Sequence, residues 1–398
     1  MTASDSPFQH SCPSCGGSSL RNFYQVGQVP VHSVLLMPSR DKATSYTRGD
    51  IELAFCDDCG FIFNRRFDAS LHEYSQEYEE TQGFSGTFNK FHRRLATDLI
   101  NRYDLRNKEI VEIGCGKGEF LTLLCEIGEN RGTGFDPAFI SERLVPPAKG
   151  EVNFVKDFYS EKYSHYKADF FCCKMTLEHI PDTADFIRTV RAAVGDDPDN
   201  IVFFQVPNTA YILKDLAFWD VYYEHCSYFS TGSLARLFRN CGFDVLDLGL
   251  DYDDQYLMVE ARPGDGQGTP PHPLENDMAD LRSGLSNFIE NAPISIAGWR
   301  KRLNTWKAEG KRVAIWGSGS KGVSFLTTLK VSDEIAFGVD INPNKHGTFL
   351  AGSGHEIVGP EHLKSFPPDV VIVMNPIYCE EIGRDLAAMG LNPEMVAV

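Results

Sequence analysis

Four cysteines form two CxxC pairs, Cys12 and Cys15 in CPSCG and Cys56 and Cys59 in CDDCG, each pair followed by glycine. A CxxC turn aims two thiolates at one ion, and the glycine permits the tight turn. Two such turns complete a four-thiolate tetrahedron, so the pattern predicts a structural zinc ion with no open position for catalysis. The competing reading is four buried or redox-active thiols. A second group stands in IVEIGCGKGEF (110–120), where Glu112, Gly114, Gly116 and Gly118 close an apolar strand pattern and open a helical one. These glycines let the backbone turn beneath a bound cofactor and present a helix N-terminus to it. Further on, GTGFDP ends a strand with Asp136, whose carboxylate can accept both hydroxyls of a ribose. FVKDF then supplies Asp157 beside Phe158, a pairing suited to the amino group and face of an adenine.

Two polar clusters could carry acid–base chemistry. TLEHIPD places Glu178 and His179 just after the strand pattern ADFFCCKM, and FWDVYYEHCSYFS packs Tyr222, Tyr223, Glu224 and His225 among aromatics. Titratable groups crowded into an apolar setting have their pKa values shifted toward such work, although tyrosines beside His and Glu can equally brace a loop. A last motif, WGSGSKG, sets Gly317, Gly319, Lys321 and Gly322 after the strand RVAI, and Asp340 ends the following strand. By itself it reads as a nicotinamide site, which keeps an oxidoreductase or nucleotide sensor open as an alternative. Lys321 at a helix N-terminus, and Lys345 in the turn after Asp340, are also placed to meet a diphosphate.

The elements that must position these residues fall into three units of an α/β chain. Residues 1–70 are Cys-bearing and turn-rich, 71–262 alternate helix and strand, and 276–398 begin a second α/β series after the Gly/Pro-rich linker 263–275. Each is long enough to bury a core of its own. In the middle unit FNKFHRRLATDLINRY puts Phe88, Phe91, Leu95 and Leu99 on one helical face, and the strands that follow predict a doubly wound parallel sheet. Residues from about Asp277 to Glu309 are helical in pattern. A formal net charge of −17 argues against a nucleic-acid partner, because phosphate binding needs clustered Lys and Arg. No apolar run predicts a membrane span, and the start MTASDSPFQHSCPSC has no secretory pattern. Eleven scattered cysteines fit a reducing compartment, so the expected location is the cytoplasm.

ExGCGxG followed by the GFDP strand resembles the class I S-adenosylmethionine methyltransferases over roughly residues 85–260. The resemblance implies that Glu112 supports the loop, Asp136 holds the ribose and Asp157 the adenine. The whole-chain order of CxxC head, this core with YYEHCSYFS, and a Gly-rich α/β tail resembles the three-domain sugar C-methyltransferases. That family carries an N-terminal zinc-binding domain and a C-terminal Rossmann-like C-methyltransferase domain. Its members act on nucleotide-linked keto-deoxysugars, so a sugar nucleotide is the implied small-molecule partner. Carried over by residue, His225 is the base, Tyr222 and Glu224 its catalytic neighbours and His179 a substrate-side residue. Lys321 and Lys345 would help hold the sugar nucleotide. Tyr78, in YSQEYEETQGFS, matches the family's Tyr-rich lid only loosely as a substrate tyrosine. Where the family has Asn-x-Leu-x-His this chain has Met175 to His179, which leaves the sugar open and keeps O- or N-methylation of another small molecule as the alternative.

Overall fold

The computed structural model describes residues 8–71 and 77–398. Residues 1–7, in the stretch read for a secretory signal, and 72–76, which include the start of the Tyr-rich segment, lie outside them. The central sheet has seven strands in the spatial order Phe243–Asp251, Tyr256–Pro263, Ile201–Pro207, Phe170–Lys174, Glu109–Ile113, Arg131–Phe135 and Glu151–Val155. The last five run parallel, while Tyr256–Pro263 pairs antiparallel with Ile201–Pro207. FFCCK (170–174) is buried throughout and the strand IVFFQVP (201–207) nearly so, as strands covered on both faces must be, which is why they show no polar alternation. The chain starts at Glu109–Ile113, winds outward one way, then returns to the other side at Phe170–Lys174. That reversal opens a crevice at the carboxyl ends of these two strands, where doubly wound sheets bind ligands. It sets the Gly114 turn beside Glu178 and His179.

The helix Gly86–Tyr103 covers the sheet with Phe88, Phe91, Leu95 and Leu99 buried, the face expected from their spacing. Its N-terminus is capped by Ser85, whose hydroxyl accepts from Phe88 N at 3.2 Å. A long helix, Met278–Ala308, leads to a second sheet of five parallel strands, ordered Ile357–Val358, Gly338–Val339, Val313–Trp316, Val370–Val373 and Glu394–Ala397. Here the reversal lies at Val313–Trp316, so the Gly317 turn occupies a second crevice.

The N-terminal sheet departs from the three-unit reading. Leu20–Pro30, Arg48–Cys56 and Ile62–Asn64 are joined by a fourth antiparallel strand, Ser227–Tyr228, from the YYEHCSYFS segment. The expectation of a private core fails as well. Phe61 and Phe63 pack in the cluster that holds Phe204 and Phe229, whereas Val31 and Phe55 pack with Phe325 and Leu326 of the tail. A unit this small and strand-rich has too little apolar surface to close on itself, so it buries its faces against its neighbours. The linker is strapped down too: the Arg239 guanidinium donates to the carbonyls of Gly266, Thr269 and Pro270 and pairs with Glu275 at 2.8 Å.

Candidate active site

The four cysteines converge as the CxxC spacing required. Their ligand atoms lie within 4.8 Å of one another, with Cys12 Sγ 3.6 Å from Cys59 Sγ and Cys15 Sγ 3.7 Å from Cys56 Sγ. Thiolates about 2.3 Å from a tetrahedral zinc ion stand about 3.8 Å apart, so the donor set fits that ion. Gly16 (φ 77°) and Gly60 (φ 76°) take left-handed conformations and donate to the carbonyls of Cys12 and Cys56, both at 2.8 Å, closing each turn.

A cavity of about 670 Å³ lies between the two crevices and is walled by residues from all three parts of the chain. On its first side, Gly114 (φ 69°) turns the chain where a Cβ would sit 2.0 Å from Thr176 Oγ1. Gly116 lines the wall, while Gly118 (φ 82°) sits behind it as N-cap of the helix Glu119–Gly128, packed on Phe154. Asp136 Oδ2 accepts from Gly116 N at 2.9 Å and Oδ1 from Ala138 N at 2.7 Å, and burial pushes its carboxyl up despite those bonds. Glu112 is buried, its Oε2 has no hydrogen-bond partner among the described residues, and burial pushes its pKa to about 8. Burial likewise lowers the facing Lys174 ammonium to about 8, against the pull of Glu112. An orphaned carboxyl oxygen beside a glycine cradle and an acidic strand end fits a ligand carrying an amine, a ribose and a positive centre. Phe158 lines the same cavity, but Asp157 does not. Its carboxylate is drawn outward by Tyr163 Oη at 2.6 Å and Lys162 Nζ at 3.0 Å, which hold its pKa low.

Across the cavity stand His179, His225 and Tyr222. The turn Leu177–His179 follows the strand Phe170–Lys174, and His179 Nδ1 lies 3.1 Å from the carbonyl of Glu224. The imidazole of His225 packs edge-on to His179 (4.8 Å between centroids) and against the Tyr222 ring (4.2 Å). Burial lowers His179 to about 4 and His225 well below its ordinary range, so both are neutral at pH 7 and able to accept a proton. Glu224 corrects the expectation of a neighbour to the His225 ring. Its buried carboxylate faces away from the cavity, 3.0 Å from His32 Nδ1 and accepting from Ser33 N at 3.1 Å and Ser33 Oγ. The carboxyl nearest the ring is Glu178, with Oε1 3.9 Å from His225 Nε2.

The tail closes the cavity with its own glycine turn. Lys321 lines the wall and pairs with Asp220 at 2.8 Å and the Gln255 side-chain oxygen at 2.8 Å. Lys345 lines it too, pairing with Asp340 at 3.0 Å, and Asp340 also accepts from Ser318 N and Asn342 N. Asp340 thus resembles Asp136 in accepting from two amides of its own loop, and differs in being ion-paired with Lys345 as well. Tyr78 is buried in the cavity wall, and its carbonyl accepts from Lys117 Nζ at 2.9 Å. Sequence reasoning passed over Lys117, which also pairs with Glu80 at 3.5 Å, and the His92–Lys174 contact at 2.8 Å. The single Lys of EIGCGKG was a signal in plain view, whereas His92 gave none because its partner lies 82 positions away.

A seven-stranded sheet with a Gly-rich turn and acidic strand end at its switch point defines a class I methyltransferase. Residues 88–248 match the methyltransferase domain family, and residues 276–392 match the C-methyltransferase C-terminal domain. The chain belongs to the S-adenosylmethionine-dependent methyltransferases, with a C-methyltransferase tail. It is 26% identical over 388 residues to C-methyltransferase NovU of Streptomyces niveus, covering 93% of this chain and 90% of that one. A ubiquinone biosynthesis O-methyltransferase of Neisseria meningitidis is 26% identical over 212 residues, or 46% of this chain and 86% of the relative. Among solved structures, magnesium protoporphyrin IX methyltransferase of Synechocystis PCC 6803 superposes with a TM-score of 0.35 at 14% identity, over 45% of this chain and 84% of that one. Among the described residues no helix is long and apolar enough to cross a membrane.

Proposed function

We propose that the protein methylates a ring carbon beside the ketone of a nucleotide-linked keto-deoxysugar, in the cytoplasm, with a structural zinc ion in the four-cysteine site. One observation carries this reading: the glycine cradle, the neutral His225 and the ammonium groups of Lys321 and Lys345 share one cavity. The cofactor, when bound, supplies a methyl group on a positively charged sulfur, activated enough to need no further help. Glu112, the Gly114 turn and Asp136 would hold it, with Phe158 against the adenine. What the protein must provide is a carbon nucleophile. A hydrogen beside a ketone is the accessible one, because the electron pair left behind spreads onto the ketone oxygen. His225 accepts that hydrogen as a proton, and Tyr222 donates a hydrogen bond to the oxygen as charge develops. Lys321, Lys345 and the Rossmann-like tail hold the diphosphate so that the carbon lies in line with the methyl group. Each ammonium already has two acceptors, Asp220 and Gln255 for Lys321 and Asp340 and the Ser318 carbonyl for Lys345, so a diphosphate would take the third N–H of each.

The test is deuterium exchange. In heavy water, with S-adenosylhomocysteine and a nucleoside-diphosphate 4-keto-6-deoxyhexose, the wild type should exchange a ring hydrogen. His225→Ala should lose exchange and methylation by roughly 10²- to 10⁴-fold while still binding S-adenosylhomocysteine. A product methylated on oxygen, or near-wild-type turnover by His225→Ala, overturns the assignment.

A further inference from the structure

The enolisation reading leaves Glu178, in the wall of the acceptor pocket, without a task. Glu178 is fixed in the turn Leu177–His179, with Cys226 Sγ 3.5 Å from its carbonyl. Its carboxyl lies in the cavity wall at 1% exposure, and neither oxygen has a hydrogen-bond partner among the described residues. At 3.9 Å from His225 Nε2 the two groups face each other without bonding, so each keeps its capacity for a third partner. A buried carboxylate with no donor is costly, and the group keeps its proton instead: burial pushes Glu178 up to about 8. The result at pH 7 is an acid holding a proton opposite a base lacking one.

We propose that Glu178 is a further catalytic residue, the general acid that protonates the ketone oxygen while His225 removes the ring hydrogen. This rests on the enolisation reading above. The C–H bond breaks and its proton goes to His225 Nε2. Its electron pair becomes the C=C bond, and the carbonyl π pair moves to oxygen, which takes the proton of Glu178. An imidazolium and a carboxylate thus form together, opposite charges about 4 Å apart in a poorly solvated place, each stabilising the other. In the transfer step the enol carbon attacks the methyl group and the sulfur–carbon bond breaks. The enol proton returns to Glu178 as the ketone re-forms, and His225 releases its proton to solvent. One C–H becomes one C–CH₃ and one proton leaves. A neutral carboxyl beside a tyrosine at an enolate oxygen is a known arrangement for stabilising that charge.

Two measurements test it. Infrared difference spectra of wild type against Glu178→Gln, both with S-adenosylhomocysteine at pH 7, should contain the stretch of a protonated carboxyl. Its absence overturns the proposal whatever the substrate, as would a second bound transition-metal ion per chain held by Glu178, His179 and His225, which would keep the carboxyl ionised. With the 4-keto sugar nucleotide, Glu178→Leu should lose roughly 10²- to 10³-fold in exchange and methylation. Glu178→Gln, which keeps an N–H donor but no transferable proton, should fall between, and both should bind S-adenosylhomocysteine within about twofold of wild type. The wild-type rate should fall above a pH of about 8 as Glu178 ionises, and the fall should be shallower in Glu178→Gln, in which only Glu112 and Lys174 still titrate near 8. Facing groups do not mimic it. Burial holds His179 at about 4, His225 well below its ordinary range, Tyr256 and Cys226 at about 12, and Tyr222 and Cys173 well above their ordinary ranges. Lys321, whose charge bears on His225, is paired with Asp220, while Glu112 and Lys174 are present in both proteins. Exchange by Glu178→Leu at the wild-type rate sinks the acid role alone. A wild type that neither exchanges nor methylates sinks the enolisation reading and this inference with it.

Discussion

At the scale of single residues, the cavity is governed by burial acting on titratable groups in opposite directions. The same desolvation that strips His225 of its charge leaves Glu178 and Glu112 holding protons, so one physical cause would prepare the proposed base and acid together. Asp136 differs because two backbone amides already satisfy its carboxylate. A ribose must therefore share or displace the Gly116 amide bond. Asp136→Ala should still weaken S-adenosylhomocysteine binding, by about 1.5–3 kcal/mol for each charged hydrogen bond lost. Calorimetric titration checks this, and unchanged affinity in a folded variant removes Asp136 from the site.

Among the elements, the fourth strand of the N-terminal sheet has the largest consequence. Ser227–Tyr228 pairs with Ile62–Asn64, and Cys59 precedes that strand by three positions, so the cysteine site and His225 are linked through one short ladder. Removing the proposed zinc ion should loosen the sheet and, through it, the segment that carries His225. Chelation or Cys56→Ser is expected to lower the thermal midpoint and kcat together, even though none of the four clustered cysteines lines the cavity. Metal loss that lowers stability at low temperature but leaves kcat intact would show that the ladder does not transmit. Glu224 works at the same scale, joining His32 and Ser33 to the catalytic loop, while Ser33 Oγ reaches Ser320 Oγ at 2.7 Å.

Over the whole molecule, the tail is built into the site. Glu381 accepts from Ser85 Oγ and Thr87 N at the start of the helix Gly86–Tyr103, Asn375 exchanges hydrogen bonds with Gln255, and Lys321 meets Asp220. The cavity is thus complete only with the tail in place. Lys321→Ala should raise KM for the proposed sugar nucleotide roughly tenfold or more, the loss of one charge-assisted contact, with S-adenosylhomocysteine affinity nearly unchanged. Steady-state kinetics with both substrates separates the two effects. An unchanged KM would place the diphosphate elsewhere.

The sequence by itself determined whatever depends on local pattern. Glycine spacing set the turns at Gly114 and Gly317, matched CxxC pairs set the four-sulfur cluster, and apolar periodicity set the buried face of Gly86–Tyr103. It also brought His225, Tyr222 and His179 forward, since titratable residues stood out in an apolar run. Only the tertiary structure decided where carboxylates point. Glu224, adjacent to His225 in the chain, turns to His32 some 192 positions away, while Glu178, 47 positions distant, faces the ring. In an extended or turning backbone, neighbouring side chains leave on different faces, so chain adjacency says little about shared direction. Asp157 shows the same limit, drawn outward by Tyr163 and Lys162 a turn further along. Strand pairing between Ser227–Tyr228 and Ile62–Asn64 was equally out of reach, because long-range ladders are chosen by which faces remain to be covered once everything else has packed.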